Sequence, residues 1–457
     1  MPLTLIQGGE VYAPRLSGRQ DVLLCLGRIL KIGDIDGRAL KTTGLEVESV
    51  DATGCIVTPG FIDPHEHLLG GSGEDGFATQ TPEISASEIV SAGITTVVGC
   101  LGVDTTMKTM PGLLAKAKAL KEEGLNAYVW SGGYRTPPAT INNSISTDIM
   151  FVDEIIGVGE IAIADERSTE PTPQELARIV SETHNSGMLS QKSGLTHFHV
   201  GDKPNRLKLL REIIDNFNIS AEWLYPTHIG RSDELLREAI ELAKRGCFVD
   251  IDTVDEDLPE KLKMYLDNLG WEEKLTVSSD ASVTGPQNLY SQIARCIVEY
   301  KYPIEQIIRF VTANTADALK LRDKGRLREG NTADVLVIKA DSFELQDVFC
   351  NGTRLFKNGQ LNFRERFLKG SNRHVKLDGE KPPASSNGKP GSDPEENKGK
   401  FGHSIEQVNT GNGSIQGIIN INGGKGARGA NGQNKYLECN TPVDARKQNN
   451  KPDDRHE

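Results

Sequence analysis

Two histidines, His65 and His67, stand two residues apart in Pro59-Gly60-Phe61-Ile62-Asp63-Pro64-His65-Glu66-His67, just after the strand-like run Cys55-Ile56-Val57-Thr58. On an extended backbone residues i and i+2 face the same side, so their imidazoles can converge on one point, as two ligands of one metal ion must. Three more candidates each close an apolar run: His199 in Phe198-His199-Val200-Gly201-Asp202, His228 in Pro226-Thr227-His228-Ile229, and Asp280 in Val277-Ser278-Ser279-Asp280. Nitrogen and oxygen donors of this kind suit Zn2+. His197 shares the face of His199 and reads as a packing residue or an outer partner of the ligands. His184, His374, His403 and His456 fall in helical or tail contexts and read as ordinary polar residues.

Donors so far apart in sequence need a scaffold that returns each to one place. Between Pro59 and about Glu329, short β-rich runs alternate with amphipathic stretches. The runs are Ile56 to Thr58 leading into His65, Ile94 to Leu101, Ala127 to Tyr134, Ile156 to Ala164, Leu195 to Gly201, Leu224 to His228, Cys247 to Asp252, and Leu275 to Asp280. Helical segments lie between them, among them Met110 to Glu123, Thr172 to Ser186, Asn205 to Asn216 and Asp233 to Arg245. In the last, Leu235, Leu236, Ala239, Ile240, Leu242 and Ala243 share one apolar face. This rhythm predicts a (β/α)8 TIM barrel over residues 59–329, whose C-terminal strand ends line one mouth. His65, His67, Tyr134, His199, His228 and Asp280 all fall at such ends.

The flanks, 1–58 and 330–370, carry short strands and turn signals, including Asn351-Gly352 between two apolar runs, a strong hairpin signal. They predict the two parts of one small β-sandwich domain beside the barrel. From Ser371 to Glu457 the chain is rich in Gly, Asn, Ser, Pro and Lys, with only Phe401 and Tyr436 as aromatics. Such a segment buries too little apolar surface to offset its ordering entropy, which predicts a disordered tail.

Net charge is −12, and the tail holds 13 Lys+Arg against 11 Asp+Glu, so the body carries 39 against 53, or −14. That balance argues against nucleic acid or an anionic membrane as partner, and no apolar run approaches the roughly 18 residues of a membrane span. The seven cysteines include no CxxC pair, and the N-terminus lacks a basic patch and a long apolar core. A reduced, cytosolic setting is the expectation.

The Pro-Gly-Phe-Ile-Asp-x-His-x-His segment, with Glu160, His199, His228 and Asp280 on later strands, resembles the amidohydrolase superfamily of binuclear metal hydrolases. Within it, the chain is most similar to the isoaspartyl dipeptidases. Supporting stretches are Gly70-Gly71-Ser72-Gly73-Glu74, Ala92-Gly93-Ile94-Thr95-Thr96-Val97-Val98-Gly99, Ser131-Gly132-Gly133-Tyr134, Asp165-Glu166-Arg167-Ser168 and Pro226-Thr227-His228-Ile229-Gly230-Arg231. The likeness runs from the N-terminus to about Lys369 and omits the tail.

The resemblance implies two Zn2+ ions that share a bridging hydroxide, one held by His65, His67 and Asp280, the other by His199 and His228. It implies hydrolysis of β-aspartyl dipeptides to aspartate and a second amino acid, with Asp280 collecting the proton and passing it to the leaving amine. Tyr134 matches the phenol that hydrogen-bonds the carbonyl oxygen. Glu74 matches the residue that pairs with the substrate ammonium, Arg167 and Arg231 those that grip carboxylate, and Thr284 stands where the family has a serine. A homo-oligomer is also implied. One position departs: where the family bridges its metals with a carboxylated lysine, this chain has Glu160, also a bidentate carboxylate but on an arm three atoms shorter. Two further readings compete with the dipeptidase. One is a cyclic amidase (dihydroorotase- or hydantoinase-like) or an N-acyl-amino-acid deacylase. The other is a barrel that has lost catalysis and serves as an assembly protein.

Overall fold

The computed structural model describes residues 3–255 and 257–372. The predicted tail falls outside the described residues from residue 373 onward. Eight parallel strands carry the central unit: β1 (Phe61–Glu66), β2 (Ile94–Gly99), β3 (Asn126–Ser131), β4 (Ile155–Ile163), β5 (Thr196–Val200), β6 (Leu224–Thr227), β7 (Val249–Asp252) and β8 (Leu275–Ser278). The first six form one sheet in sequential order, and β7 pairs with β8. Two seams complete the ring. Ile229 N donates to Asp250 O at 3.2 Å beside β6 and β7. Between β8 and β1, Asp280 N donates to His65 O at 3.1 Å and His67 N to Ala281 O at 2.9 Å. The barrel therefore closes through the backbone of three of the predicted ligands.

The helices form where their local chemistry starts them. Pro173–Ser190 begins at a capping box in which the Thr172 side chain accepts from Glu175 N and the Glu175 carboxylate accepts from Thr172 N, with proline at the first helical position. Asp233–Lys244 begins at Ser232, carries Asp233 and Glu234 in its first turn, and buries Leu235, Leu236, Ala239, Ile240, Leu242 and Ala243 as its apolar face predicts. Among the described residues no helix is long and apolar enough to cross a membrane.

The first barrel strand differs from expectation. Cys55–Pro59 is a strand of the flanking sheet, and the strand that carries His65, β1, starts only at Phe61. The two runs look continuous in sequence because Gly60 alone separates them. Gly60 N donates to Asp334 O and Phe61 N to Gly93 O, so the chain changes sheets within one residue. A Cβ on Gly60 would sit 2.2 Å from Thr95 Oγ1, a contact only glycine avoids.

The two flanks do meet. Cys55–Pro59 runs antiparallel to Val335–Lys339, joining N- and C-terminal strands in one nine-stranded mixed sheet. Ile6, Val22, Ile29 and Val57 from the first flank share a core with Val335 and Phe349 from the second. The hairpin between Leu345–Cys350 and Thr353–Lys357 turns on Asn351 and Gly352, both at positive φ, as its Asn-Gly pair predicts.

Candidate metal centre

Each predicted ligand sits at the C-terminal end of its barrel strand or just past it, except Glu160, which lies within β4. His228 and Asp280 adopt left-handed backbone, φ 64° and 48°, the kind of strained conformation that concentrates at functional sites. The structure brings all six together. Asp280 Oδ1 lies 3.3 Å from His65 Nε2 and 3.1 Å from His67 Nε2, and Glu160 Oε1 lies 3.5 and 3.4 Å from the same two nitrogens. Glu160 Oε2 faces His199 Nδ1 at 3.3 Å and His228 Nε2 at 3.7 Å.

These separations test whether a cation fits. Zinc–nitrogen and zinc–oxygen bonds of about 2.0–2.1 Å in a tetrahedron put neighbouring donors about 3.4 Å apart. The set around His65 and His67 meets that spacing. His65 Nε2, Glu160 Oε1 and Glu160 Oε2 are buried without a hydrogen-bond partner, which is costly unless another group engages them. The donor set fits a metal pair, with Glu160 offering one oxygen to each half.

The rear nitrogens of the imidazoles explain why the front ones face inward. His197 Nδ1 donates to Tyr225 O at 2.8 Å, so its Nε2 accepts from His65 Nδ1, also at 2.8 Å, leaving His65 Nε2 as the free lone pair. His228 Nδ1 donates to Asp252 Oδ2 at 2.8 Å, freeing Nε2, and His199 Nε2 donates to Asp165 Oδ2 at 2.9 Å, leaving Nδ1 as the acceptor nitrogen. Trp130 stacks on the His197 ring and donates to Pro64 O, tying core packing to the strand that carries His65. His197 is thus an outer partner of a ligand, as its place in the sequence suggested.

Electrostatics follow from this crowding. Burial would raise the Glu160 carboxyl, but the surrounding imidazoles, His65 first and then His199 and His228, hold it well below the usual carboxylate range. Burial likewise opposes the Asp280 carboxylate, and His65, His67 and His228 outweigh it. His197, buried beside His65, is pushed well below its ordinary value and stays neutral.

The other predicted residues surround the mouth. The Tyr134 hydroxyl donates to His199 Nδ1 at 2.7 Å. Arg167 is gripped by Asp165 through Nε to Oδ1 and Nη2 to Oδ2, both at 2.8 Å, and lies over the Tyr134 ring at 5.2 Å. Its Nη1 reaches Glu74 Oε1 at 2.8 Å. Arg231 donates from Nη1 to Val200 O at 2.9 Å, and the same nitrogen is 3.3 Å from His199 Nε2. Thr284 lies in the loop after β8 with its hydroxyl buried and without a partner. Three residues that sequence reasoning left without a role belong here: Asp165 and Asp252, each bonded to a candidate ligand, and Cys100, grouped with His65, His67 and Glu160. Asp252 closes β7 and was legible as a strand-end carboxylate; Cys100 follows an apolar run with nothing polar to mark it.

Comparison with known proteins places the chain in a family. The amidohydrolase family model matches residues 56–355. Two structures of β-aspartyl dipeptidase from Fervidobacterium islandicum AW-1, one in complex with β-Asp-Leu dipeptide, are 36% identical to this chain with TM-scores of 0.75 and 0.74. The alignments cover 79% and 80% of this chain and 99% and 100% of theirs. Adenine deaminase from Halalkalibacterium halodurans is 24% identical over 359 residues, 75% of this chain and 54% of that protein. Dihydroorotase from Streptococcus pneumoniae is 27% identical over 184 residues, 39% of this chain and 38% of that protein. The chain thus spans about half or less of the length of these two curated relatives, and nearly all of the dipeptidase structures. The chain belongs to the amidohydrolase family, a family of metal-dependent enzymes, and its likeness to β-aspartyl dipeptidases extends through both the barrel and the flanking sheet.

Proposed function

We propose that this protein hydrolyses β-aspartyl dipeptides, releasing aspartate and a second amino acid, with a pair of Zn2+ ions held by His65, His67, Asp280, His199, His228 and the shared carboxylate of Glu160. Bound there, the ions would acidify a water molecule towards neutrality and polarise the scissile carbonyl. The chain's own residues supply the rest. Asp280, within hydrogen-bonding reach of both His65 and His67, takes up the proton of the attacking water and delivers it to the leaving amine. The Tyr134 hydroxyl, buried at the centre, donates to the carbonyl oxygen as negative charge develops on it. Arg167 and Arg231 receive carboxylate; Arg167 is the better prepared, since Asp165 already fixes its plane.

The observation that carries this reading is the ion pair of Arg167 with Glu74 at the site mouth. Its two charges stand 2.8 Å apart and are partly solvated, with the side chains 28% and 56% exposed. A β-aspartyl dipeptide carries a free α-ammonium and carboxylate beside its scissile amide, so it can insert its own charges between the two and pair with each. The solved β-Asp-Leu complex of the Fervidobacterium protein supports the same substrate class. The dihydroorotase relatives favour a second reading, a cyclic amidase, whose substrates lack that ammonium. Assays of β-Asp-Leu and dihydroorotate, with and without a strong chelator, separate the two. Under the first reading β-Asp-Leu turns over, chelation abolishes turnover, and Glu74→Gln cripples it. Turnover of dihydroorotate alone, undiminished in Glu74→Gln, would establish the second.

A further inference from the structure

Cys100 follows β2 directly and is 1% exposed. Its backbone is fixed, because its N–H donates to Glu66 O at 3.0 Å, locking it to the strand between the two metal-facing histidines. Its thiol faces both imidazoles, His65 and His67, with Sγ 3.8 Å from His67 Nδ1. Sγ, one nitrogen from each histidine and one oxygen of Glu160 all lie within 4.8 Å of one another. Two of those neighbours, His65 and Glu160, present buried atoms with no hydrogen-bond partner to the same space.

The sulfur has little else to do. Its one other contact is a long one to Glu66 O at 3.7 Å, whereas Cys247 Sγ reaches two carbonyls at 3.2 Å and Cys350 Sγ reaches Thr95 O at 3.3 Å. Cys100 thus stands beside the half-site of His65, His67 and Glu160 with its sulfur only weakly engaged elsewhere.

We propose that Cys100 is a sulfur ligand of the cation held by His65 and His67, making that half of the centre a mixed nitrogen, oxygen and thiolate site. Such a site takes a thiophilic divalent ion (zinc, cobalt or cadmium) in preference to magnesium or manganese. The inference rests on the metal-centre reading and is separable from it by spectroscopy. The full chain, stripped of metal and reloaded with Co2+, is expected to show ligand-field bands in the visible and a sulfur-to-cobalt charge-transfer band in the near ultraviolet. Cys100→Ser is expected to keep the first and lose the second. If that variant does not fold, the cadmium-loaded wild type answers the same question by a cadmium NMR resonance in the range of mixed sulfur and nitrogen ligation. Cobalt bound with visible bands but no charge-transfer band would overturn the assignment, as would a charge-transfer band that survives Cys100→Ser, or a cadmium resonance in the sulfur-free range. Failure to bind cobalt at all would overturn the metal centre, and this ligand with it.

Discussion

Asp165 bonds both Arg167 and His199, which the proposed function assigns to substrate and metal, so Asp165→Asn tests both assignments at once. Oδ2 accepts from His199 Nε2 at 2.9 Å and from Arg167 Nη2 at 2.8 Å, while Oδ1 accepts from Arg167 Nε and the Arg167 backbone N–H, each at 2.8 Å. The group stays ionised: burial opposes its charge, but the bonds from Arg167 and His199 outweigh it and hold its carboxyl far below the usual range. An asparagine in the same pose keeps one oxygen for Arg167 Nε but points an NH2 at two donors, His199 Nε2 and Arg167 Nη2. Losing a carboxylate behind a metal-bound histidine costs about 10–100-fold in metal affinity, or about 1.4–2.8 kcal/mol. The two charge-assisted bonds lost at Oδ2 are worth about 1.5–3 kcal/mol each, and freeing one edge of the Arg167 fork should raise KM by about tenfold. Competition with a chromophoric chelator reads the first effect, and steady-state kinetics on β-Asp-Leu read the second, with added metal in excess so that kcat is largely restored. A variant that keeps its metal affinity within roughly twofold and leaves KM unchanged would refute the coupling, since the expected losses are fivefold or more beyond that.

Lys324 and Asp334 form an ion pair with both side chains 5% exposed, and Asp334 also accepts from Asn126 Nδ2 and Asn351 N, so it links barrel to flanking sheet. Lys324→Met should lower unfolding free energy in urea by about 3–5 kcal/mol, and adding Asp334→Asn should recover part of it. Glu154, 5% exposed at its side chain, meets Lys118 and Lys121; burial raises its carboxyl, but the two lysines outweigh it and the native value is lowered. A lowered native value means the stabilisation is full above the ordinary value of 4.5 and is lost as pH falls through the native one. Both lysines are about half exposed, so Glu154→Gln should cost only about 1 kcal/mol at pH 7, and denaturation midpoints of variant and wild type should converge in acid.

Much of the centre was legible because metal ligation imposes a rule on sequence: His65 and His67 need period-two spacing, and the remaining donors must sit at strand ends, where a barrel gathers them. Glu160 was legible only through resemblance, as a lone carboxylate inside the apolar run of β4. Asp165 was missed because its importance lies in a bond to another side chain, which no local pattern records; Asp252 was marked by its place at the end of β7, but its bond to His228 was not. Cys100 was hidden for a different reason: in an apolar segment a cysteine is indistinguishable from a small core residue. The start of β1 was misread because the partner of Cys55–Pro59 lies at Val335–Lys339, some 280 residues away, and strand pairing at that distance leaves no mark on either segment.

The single-residue passage at Gly60 has a consequence for how the enzyme's geometry is calibrated. The strand before it is clamped between neighbours from both flanks, and the strand after it presents the two imidazoles, so the outer sheet acts as a ruler for the inner ring. Sliding that ruler by one position would turn His65 and His67 away from the cavity and bring Pro64 and Glu66 to face it. Strands drawn from the two flanks of the barrel thereby determine which side chains of β1 face its mouth.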